Sequence, residues 1–394
     1  MVKDPGSSIP HHVGVRLIDW AQGFGYRLFG GFLDFIRSGH PLELAFEQPN
    51  GGDIEPVKID KDWQGDGLLV FRYTAEEAKE WRRRKIPVVN LSTEQPPRIA
   101  GFPRVTLDNI RAGEMAAEHF LSLGLRNFAY LHDSNRVYSR ERMEGYRRRL
   151  DEAGFAIQVI DIPSSTFPPK IRAKQNLEMA WRQFARLPQP CGLFAKDDIA
   201  AVLAIRALRK IGLRVPQDVP VLGVADDIVH CLATTPPISS LRFPGRGIGF
   251  AAAQLLWRQM NGEKIDPREH LRIPPRGVVV RESTGHVELP DPLVTRALAV
   301  IREEAGRQSI SAQELCRRVG VSRESLRLRF QETLGRSPKQ EVDRLRAEHV
   351  GEILRRQDWT LERIAEHCGF TGSDELCRFF KRVKGVTAGV WRKG

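Results

Sequence analysis

The chain has 394 residues, 41% of them hydrophobic and 28% charged, with a formal net charge of +12. That length suffices for two or three domains with full cores, and the composition is that of a folded globular protein. No apolar run reaches the roughly 18 residues of a membrane helix, and the opening MVKDPGSSIPHH lacks the apolar stretch of a secretory signal. Five Cys without a CxxC pair argue against a disulfide framework or a zinc knuckle. The expectation is a cytoplasmic protein with no membrane partner, metal or cofactor, and the basic excess favours a polyanionic partner.

Residues 1–12 read as a flexible N-terminus. From 13 to 280, short apolar runs alternate with amphipathic stretches. Val13–Ile18, Leu42–Phe46, Gly67–Phe71, Ile86–Leu91, Asn127–His132, Gly192–Ala195 and Val219–Val224 read as strands, and 26–38, 75–84, 110–123, 140–153, 170–186 and 199–211 as helices. Short apolar strands spaced by helices imply parallel sheets covered on both faces. The fold class predicted for 13–280 is therefore α/β, with two doubly wound lobes. The helix near 110–123 has its apolar stripe at Met115, Ala116, His119, Phe120 and Leu123, with Asp108 or Asn109 as N-cap and Gly124 as its stop.

Residues 281–292, RESTGHVELPDP, are polar and aperiodic and read as a linker. Residues 293–394 read as an all-helical domain. From 290 onward there are 21 Lys and Arg against 15 Asp and Glu. This segment repeats itself loosely: 311–335 corresponds to 360–385, with Gly320 matching Gly369, Phe330 matching Phe380 and Gly335 matching Gly385. Each unit is a short helix, a turn at Gly and a second helix, the helix-turn-helix pattern. Ser311 with Glu314 and Ser337 with Gln340 have capping-box spacing, and Pro338 suits a first helical position. A helix over 338–356, with Val342, Leu345, Val350, Ile353 and Leu354 on its inner side, would hold the units apart. Two reading helices on one rigid body can enter successive major-groove segments, about 34 Å apart, so double-stranded operator DNA is the expected partner.

With Leu326 and Phe330 inward, Glu324, Arg327, Leu328 and Gln331 face out. With Leu376 and Phe380 inward, Asp374, Arg378 and Lys381 do, with Ser373 at the start of that helix. Arg can fork to guanine, a carboxylate can accept from cytosine, and Leu can touch a thymine methyl. Arg323, Arg329, Lys381 and Arg382 read instead as phosphate contacts.

The segments ISAQELCRRVGVSRESLRLRFQETLGRSPKQEV and IAEHCGFTGSDELCRFFKRVKGVTAGVWR resemble the AraC-type family of transcription regulators, across both units. Ala388 departs from that pattern, which has Pro after the Thr. The segments VTLDNIRAGEMAAEHFLSLGLRNFAYLHD, SRERMEGYRRRLDEAGF and FAKDDIAAVLAIRALRKIGLRVPQDVPVLGV resemble the LacI/GalR-type sugar-binding core, which looks like a periplasmic binding protein. Together these resemblances imply a sugar-responsive transcription regulator. The implied role is activator of a sugar catabolic operon, with a xylose-like pentose as effector, RNA polymerase as a further partner and a homodimer as the working state.

In such a core the ligand lies in the cleft at the carboxyl ends of the strands. The first βα loop supplies Asp19, Trp20 and Phe24, the aromatics serving either sugar C–H faces or the core. Asp108 is either ligand or N-cap. Arg142, three residues before Gly145, matches the sugar-contacting Arg of the pattern, against the alternative of a surface helix residue. Asp197 stands where the family has Asp after Asn or Thr, here after Lys196. The pattern's Asp after Gly-hydrophobic comes one residue late, as Gly223-Val224-Ala225-Asp226-Asp227, so either Asp226 fills the role with a loop shift or the site is rebuilt. An enzymatic reading would rest on Gly245-Arg246-Gly247-Ile248-Gly249, which lacks the nucleotide-loop spacing and context. No GxSxG, P-loop or HExxH is present.

Overall fold

The structure is a computed structural model that describes residues 10–17, 22–47, 58–96, 101–163, 178, 180–285, 289, 291–304 and 309–393. Its first part is two six-stranded sheets. Sheet one contains β1 (His11–Arg16), β2 (Leu42–Phe46), β3 (Gly67–Val70), β4 (Val88–Asn90), β5 (Arg104–Leu107) and β11 (His270–Ile273), in the order β11-β5-β4-β3-β1-β2, all parallel. Sheet two contains β6 (Asn127–His132), β7 (Ile157–Asp161), β8 (Cys191–Ala195), β9 (Val221–Ala225), β10 (Ser239–Arg242) and the antiparallel β12 (Val278–Val279), in the order β12-β10-β9-β8-β6-β7. Central strands are buried on both faces: Val13, Val15, Leu68, Leu69 and Val70 are fully enclosed, as are Leu193, Phe194 and Ala195. That is why their sequences read as unbroken apolar runs.

Several strands carry polar residues and escape that pattern. Ser239 and Ser240 on β10 are fully buried, yet satisfied. Ser239 donates to the Arg281 carbonyl (3.0 Å) and Ser240 to Asp198 (2.6 Å). On β5, Thr106 meets the His270 ring at 2.7 Å. A buried hydroxyl with a partner costs little, so these strands need no apolar alternation.

The sheets are covered by α1 (Gln22–Arg37), α2 (Ala75–Arg83), α3 (Asn109–Ser122), α4 (Val137–Asp151), α5 (Asp198–Lys210), α6 (Ile228–Leu232) and α7 (Gly245–Met260). The chain passes between lobes after Leu107, after Arg242 and after Ile273, so the hinge has three strands of chain. Helices α1 and α7 cross closely in lobe one, as α3 and α4 do in lobe two. A Cβ on Gly249 would lie 2.0 Å from the Leu28 carbonyl, and one on Gly145 would lie 1.9 Å from the Ile110 carbonyl. Gly249 in the 245–249 run is therefore explained by helix crossing.

After a 3₁₀ turn (Glu282–Thr284) all regular structure is helical: α8 (Pro292–Glu304), α9 (Ala312–Val319), α10 (Arg323–Leu334), α11 (Pro338–Arg356), α12 (Leu361–His367), α13 (Ser373–Lys384) and α14 (Ala388–Lys393). The repeat is visible in the turns, where Gly320 and Gly369, and then Gly335 and Gly385, take left-handed φ. Both arms of the Ser337–Gln340 box form. At Ser311 only the cap forms (Glu314 N to Oγ, 3.1 Å), because the Glu314 carboxylate is held by Arg317 and Arg318. Arg346 of α11 stacks on Phe370 (3.7 Å) and donates to the carbonyls of Cys368 and Gly369, fastening α11 to the second unit. No helix among the described residues is long and apolar enough to cross a membrane.

Candidate ligand cleft and nucleic-acid interface

Lobe two presents a connected polar wall at the carboxyl ends of β6 and β8. Arg142, on the second turn of α4, is 8% exposed. Its Nε donates to Asn109 Oδ1 at 3.0 Å, a terminal nitrogen donates to the Lys196 carbonyl, and its guanidinium lies 4.8 Å from the Tyr138 ring. Asn109 is held in turn by Glu141 (2.9 Å). The Arg is thus a fixed, inward-facing group rather than a surface residue.

Asp197 caps α5 by accepting from Ala200 N (2.7 Å), and it also receives Tyr138 Oη (3.2 Å) and the Lys196 ammonium. Burial works against charging both Lys196 and Asp197, but their contact wins: it holds the ammonium above its ordinary value and the carboxyl below. Lys196 Nζ also donates to Tyr138 Oη at 3.1 Å. Tyr138 stands one helical turn before Arg142, so the i,i+4 rule on α4 was the signal that would have found it.

Lobe one supplies Phe24, half-buried, stacked on Phe243 at 4.3 Å and edge-on to Phe71 at 5.3 Å. Asp19 and Trp20 lie outside the described residues. Asp108 caps α3 through Arg111 N (3.0 Å), the N-cap alternative of the sequence reading, while it sits at the crossover into lobe two.

The late Asp is accommodated by backbone. Ala225 (φ +124°) and Asp226 (φ +53°) take consecutive positive-φ conformations that non-glycine residues rarely adopt. The Asp226 carboxylate then turns to Arg281 (2.5 Å) and Arg242 (3.4 Å), so two arginines already hold it.

Among the described residues, Arg27, Glu94 and Arg272 of lobe one reach lobe two across the cleft. Arg27 of α1 donates to the carbonyls of Ala225 (2.6 Å) and Asp226, Glu94 accepts from Val137 N at the start of α4 (2.7 Å), and Arg272 faces Glu141 at 3.6 Å.

In the helical domain, Leu326, Phe330, Leu376 and Phe380 are buried. Arg323, Glu324, Arg327, Leu328 and Gln331 are exposed on α10, and Asp374, Arg378 and Lys381 on α13, with Ser373 half-buried. Arg327 pairs with Glu324 (2.6 Å) and Arg382 with Asp343 (3.4 Å). Arg329 is tied to Asp291 at 2.7 Å.

The first unit docks on lobe two. Arg336 donates to the Ser122 carbonyl, Arg126 donates to the Glu332 carbonyl (2.9 Å), and Gly124 lies so close to Leu334 that a Cβ would approach its Cδ2 to 2.7 Å.

Two family models match this chain, a periplasmic binding protein-like domain over residues 117–284 and a helix-turn-helix domain over 315–394. The chain joins a periplasmic binding protein-like core to a helix-turn-helix domain. It is similar to the xylose operon regulatory protein of Escherichia coli (strain K12), 25% identical over 85% of this chain and 86% of that protein. The xylose operon regulatory protein of Haemophilus influenzae is 26% identical over 74% of this chain and 75% of its own length. Among solved structures, a xylose-binding transcription activator shares the fold, with a TM-score of 0.60, 20% identity and 98% coverage of both chains.

Proposed function

We propose that this chain is a sugar-responsive, DNA-binding transcription regulator, an activator of a sugar catabolic operon with a pentose such as xylose as effector. The effector would bind between the lobes against Arg142, Asp197, Phe24 and Asp226, with Asp108 at the rim and Asp19 and Trp20 as further candidate contacts. The exposed faces of α10 and α13 would read operator DNA. The observation that carries the reading is structural continuity. Helix α3 begins at Asn109, bonded to Arg142, and ends at the turn on which α10 docks.

The working state we assign is a cytoplasmic homodimer that recruits RNA polymerase. Support for the dimer comes from Ile199, Leu203, Ile228, Val229 and Leu232, large aliphatic side chains exposed on the neighbouring helices α5 and α6. A thermal-shift screen of pentoses and hexoses identifies the effector, because only a ligand of the native state raises the melting temperature. Linkage then requires a matching effect: a duplex selected by the full chain from a random pool should change sugar affinity by the same factor by which sugar changes affinity for that duplex. Equal sugar affinity with and without the duplex overturns the coupling, and a monomer at micromolar concentration in sedimentation overturns the dimer.

A further inference from the structure

Beside the hinge, between α1 and the first turn of α7, lies a cavity of about 410 Å³, within the size range of small-ligand sites. Among the described effector-cleft candidates only Asp226 borders it. Four arginines line it: Arg27, Arg242, Arg246 and Arg276. Their counter-charges are few. Arg246 is paired with Asp34 on α1. Asp226 is the one carboxylate in the lining; its Oδ1 is held by Arg281, and Arg242 reaches its Oδ2 only at 3.4 Å. Arg27 donates to backbone carbonyls. The Arg276 side chain has no hydrogen bond or ion pair among the described residues, although it is half-buried beside Arg242 and Arg246. Burial and those two neighbours hold its guanidinium below the ordinary value.

Like charges gathered in a recess destabilise one another unless something neutralises them. A single surface-facing Arg would relax into water; a recess that holds Arg276 without a partner among the described residues, beside an Arg242 that reaches its carboxylate only at 3.4 Å, is suited to receive negative charge. Guanidinium forks match oxyanions in geometry as well as charge. The floor of the cavity adds to this, since α7 starts at Gly245 after Pro244 with no side-chain cap on its first amides.

We propose that this hinge cavity is a second ligand site that takes a phosphoryl oxyanion, held chiefly by Arg276 and Arg242. The cavity shares Asp226 with the effector cleft, and Arg27 ties the lobes across that cleft, but Arg276 and Arg242 are not among the effector contacts, so the proposal does not depend on the sugar reading. Its position gives it a consequence. Arg27, Arg246 and Arg276 belong to lobe one and its crossovers, while Asp226 and Arg242 belong to lobe two, so a bound oxyanion bridges the two sides of the hinge. Two sources share this chemistry, free phosphate and a sugar phosphate.

The test uses the full chain, with melting temperature and calorimetry against inorganic phosphate and ribose 5-phosphate, at ionic strength matched with sodium chloride. The expected result is saturable binding that chloride does not reproduce and that Arg276→Gln weakens about tenfold or more, as loss of a charged hydrogen-bond donor predicts. Arg276→Lys, which keeps charge but not the fork, should fall between and serves if Arg276→Gln does not fold. Ribose 5-phosphate binding tighter than phosphate assigns the sugar phosphate, and equal affinities assign free phosphate. Phosphate taken up on the DNA-reading faces would survive in Arg276→Gln. Unchanged affinity in both variants, or an equal shift with chloride, overturns the proposal. Binding of unphosphorylated pentose to Arg276→Gln, measured separately, reports on the effector reading alone.

Discussion

Replacing Arg142 tests the effector cleft most directly, and the structure sets the size of the effect. The side chain uses Nε on Asn109 and one terminal nitrogen on the Lys196 carbonyl, and it is almost fully buried. A guanidinium has five N–H groups, so donors remain for a ligand. Arg142→Ala leaves Asn109 Oδ1 and the Lys196 carbonyl short of a partner. At about 1–3 kcal/mol for each of the two orphaned buried groups, the variant should lose about 2–6 kcal/mol of stability before any sugar is added. The bond to a sugar hydroxyl adds a separate loss of about 1.5–3 kcal/mol in binding, a ten- to hundredfold weaker affinity. Thermal melting reads the first loss, and titration calorimetry well below the melting temperature reads the second. Arg142→Lys keeps the charge without the fork and should be affected less in both. A folded Arg142→Ala with parental sugar affinity would remove Arg142 from the site and leave it as a brace between α4, α3 and the β8 end.

On the DNA side, Arg327→Ala and Arg378→Ala should each weaken binding to the selected duplex by about 1–3 kcal/mol and leave scrambled DNA nearly unaffected; equal losses on both in competition assays would mark phosphate contacts. Burial pushes the Asp198 carboxyl up from 3.8 to about 6, so the native state keeps a proton that the unfolded chain releases. Its contribution, about 3 kcal/mol, is complete below pH 3.8 and lost as pH rises through 6. Asp198→Asn should flatten that part of a denaturation-versus-pH profile, and an unchanged slope refutes the assignment. Gly124→Ala forces a Cβ into a φ of +79°, costing about 1–2 kcal/mol, and against Leu334. It should shrink the sugar-dependent change in DNA affinity while sugar affinity stays close to parental, and full retention of the response refutes α3 as the connection.

What could be read in the sequence follows burial. Leu326 and Phe330, and Leu376 and Phe380, repeat at a helical period because one face of each reading helix is dry, and that fixes which residues face out. The strand Asn127–His132 is legible because both its faces are covered. The strand Ser239–Arg242 is not: its buried positions are serines whose partners, Asp198 and the Arg281 carbonyl, are remote in sequence. The same holds at the site. Arg142 could be placed from its spacing to Gly145, but the late Asp could not, because two consecutive positive-φ residues absorb the insertion. The pairing of Arg329 with Asp291 could not be read either, because the partners are 38 residues apart.

The docking of α10 explains how a ligand between the lobes can reach DNA at all. Helix α3 has 14 residues, so it spans about 20 Å at the usual rise. Its first residue is hooked to Arg142, its last, Ser122, accepts from Arg336, and the turn that follows places Gly124 against Leu334 and Arg126 on the Glu332 carbonyl. His119, in its last turn, meets Thr284 at 3.0 Å, and Thr284 donates to Ser239 on β10. Burial, with Arg344 and Arg302 nearby, pushes the His119 imidazole down to about 3, so it stays neutral and this tie does not loosen as pH crosses 6. A packed helix transmits tilt rather than compression, because its interior is too dense to deform. Effector binding that only draws the lobes together, with α3 fixed against sheet two, would therefore leave α10 where it is. Effector binding that pulls on Arg142 and Asn109 would swing the start of α3 about the His119 tie and rotate the turn after Ser122 on which the first unit docks. Arg346 of α11 carries the second unit along, since it is bonded to the turn at Cys368 and Gly369. The two helices would then shift as one body, the ligand selecting between two placements of both units rather than altering either unit's fold.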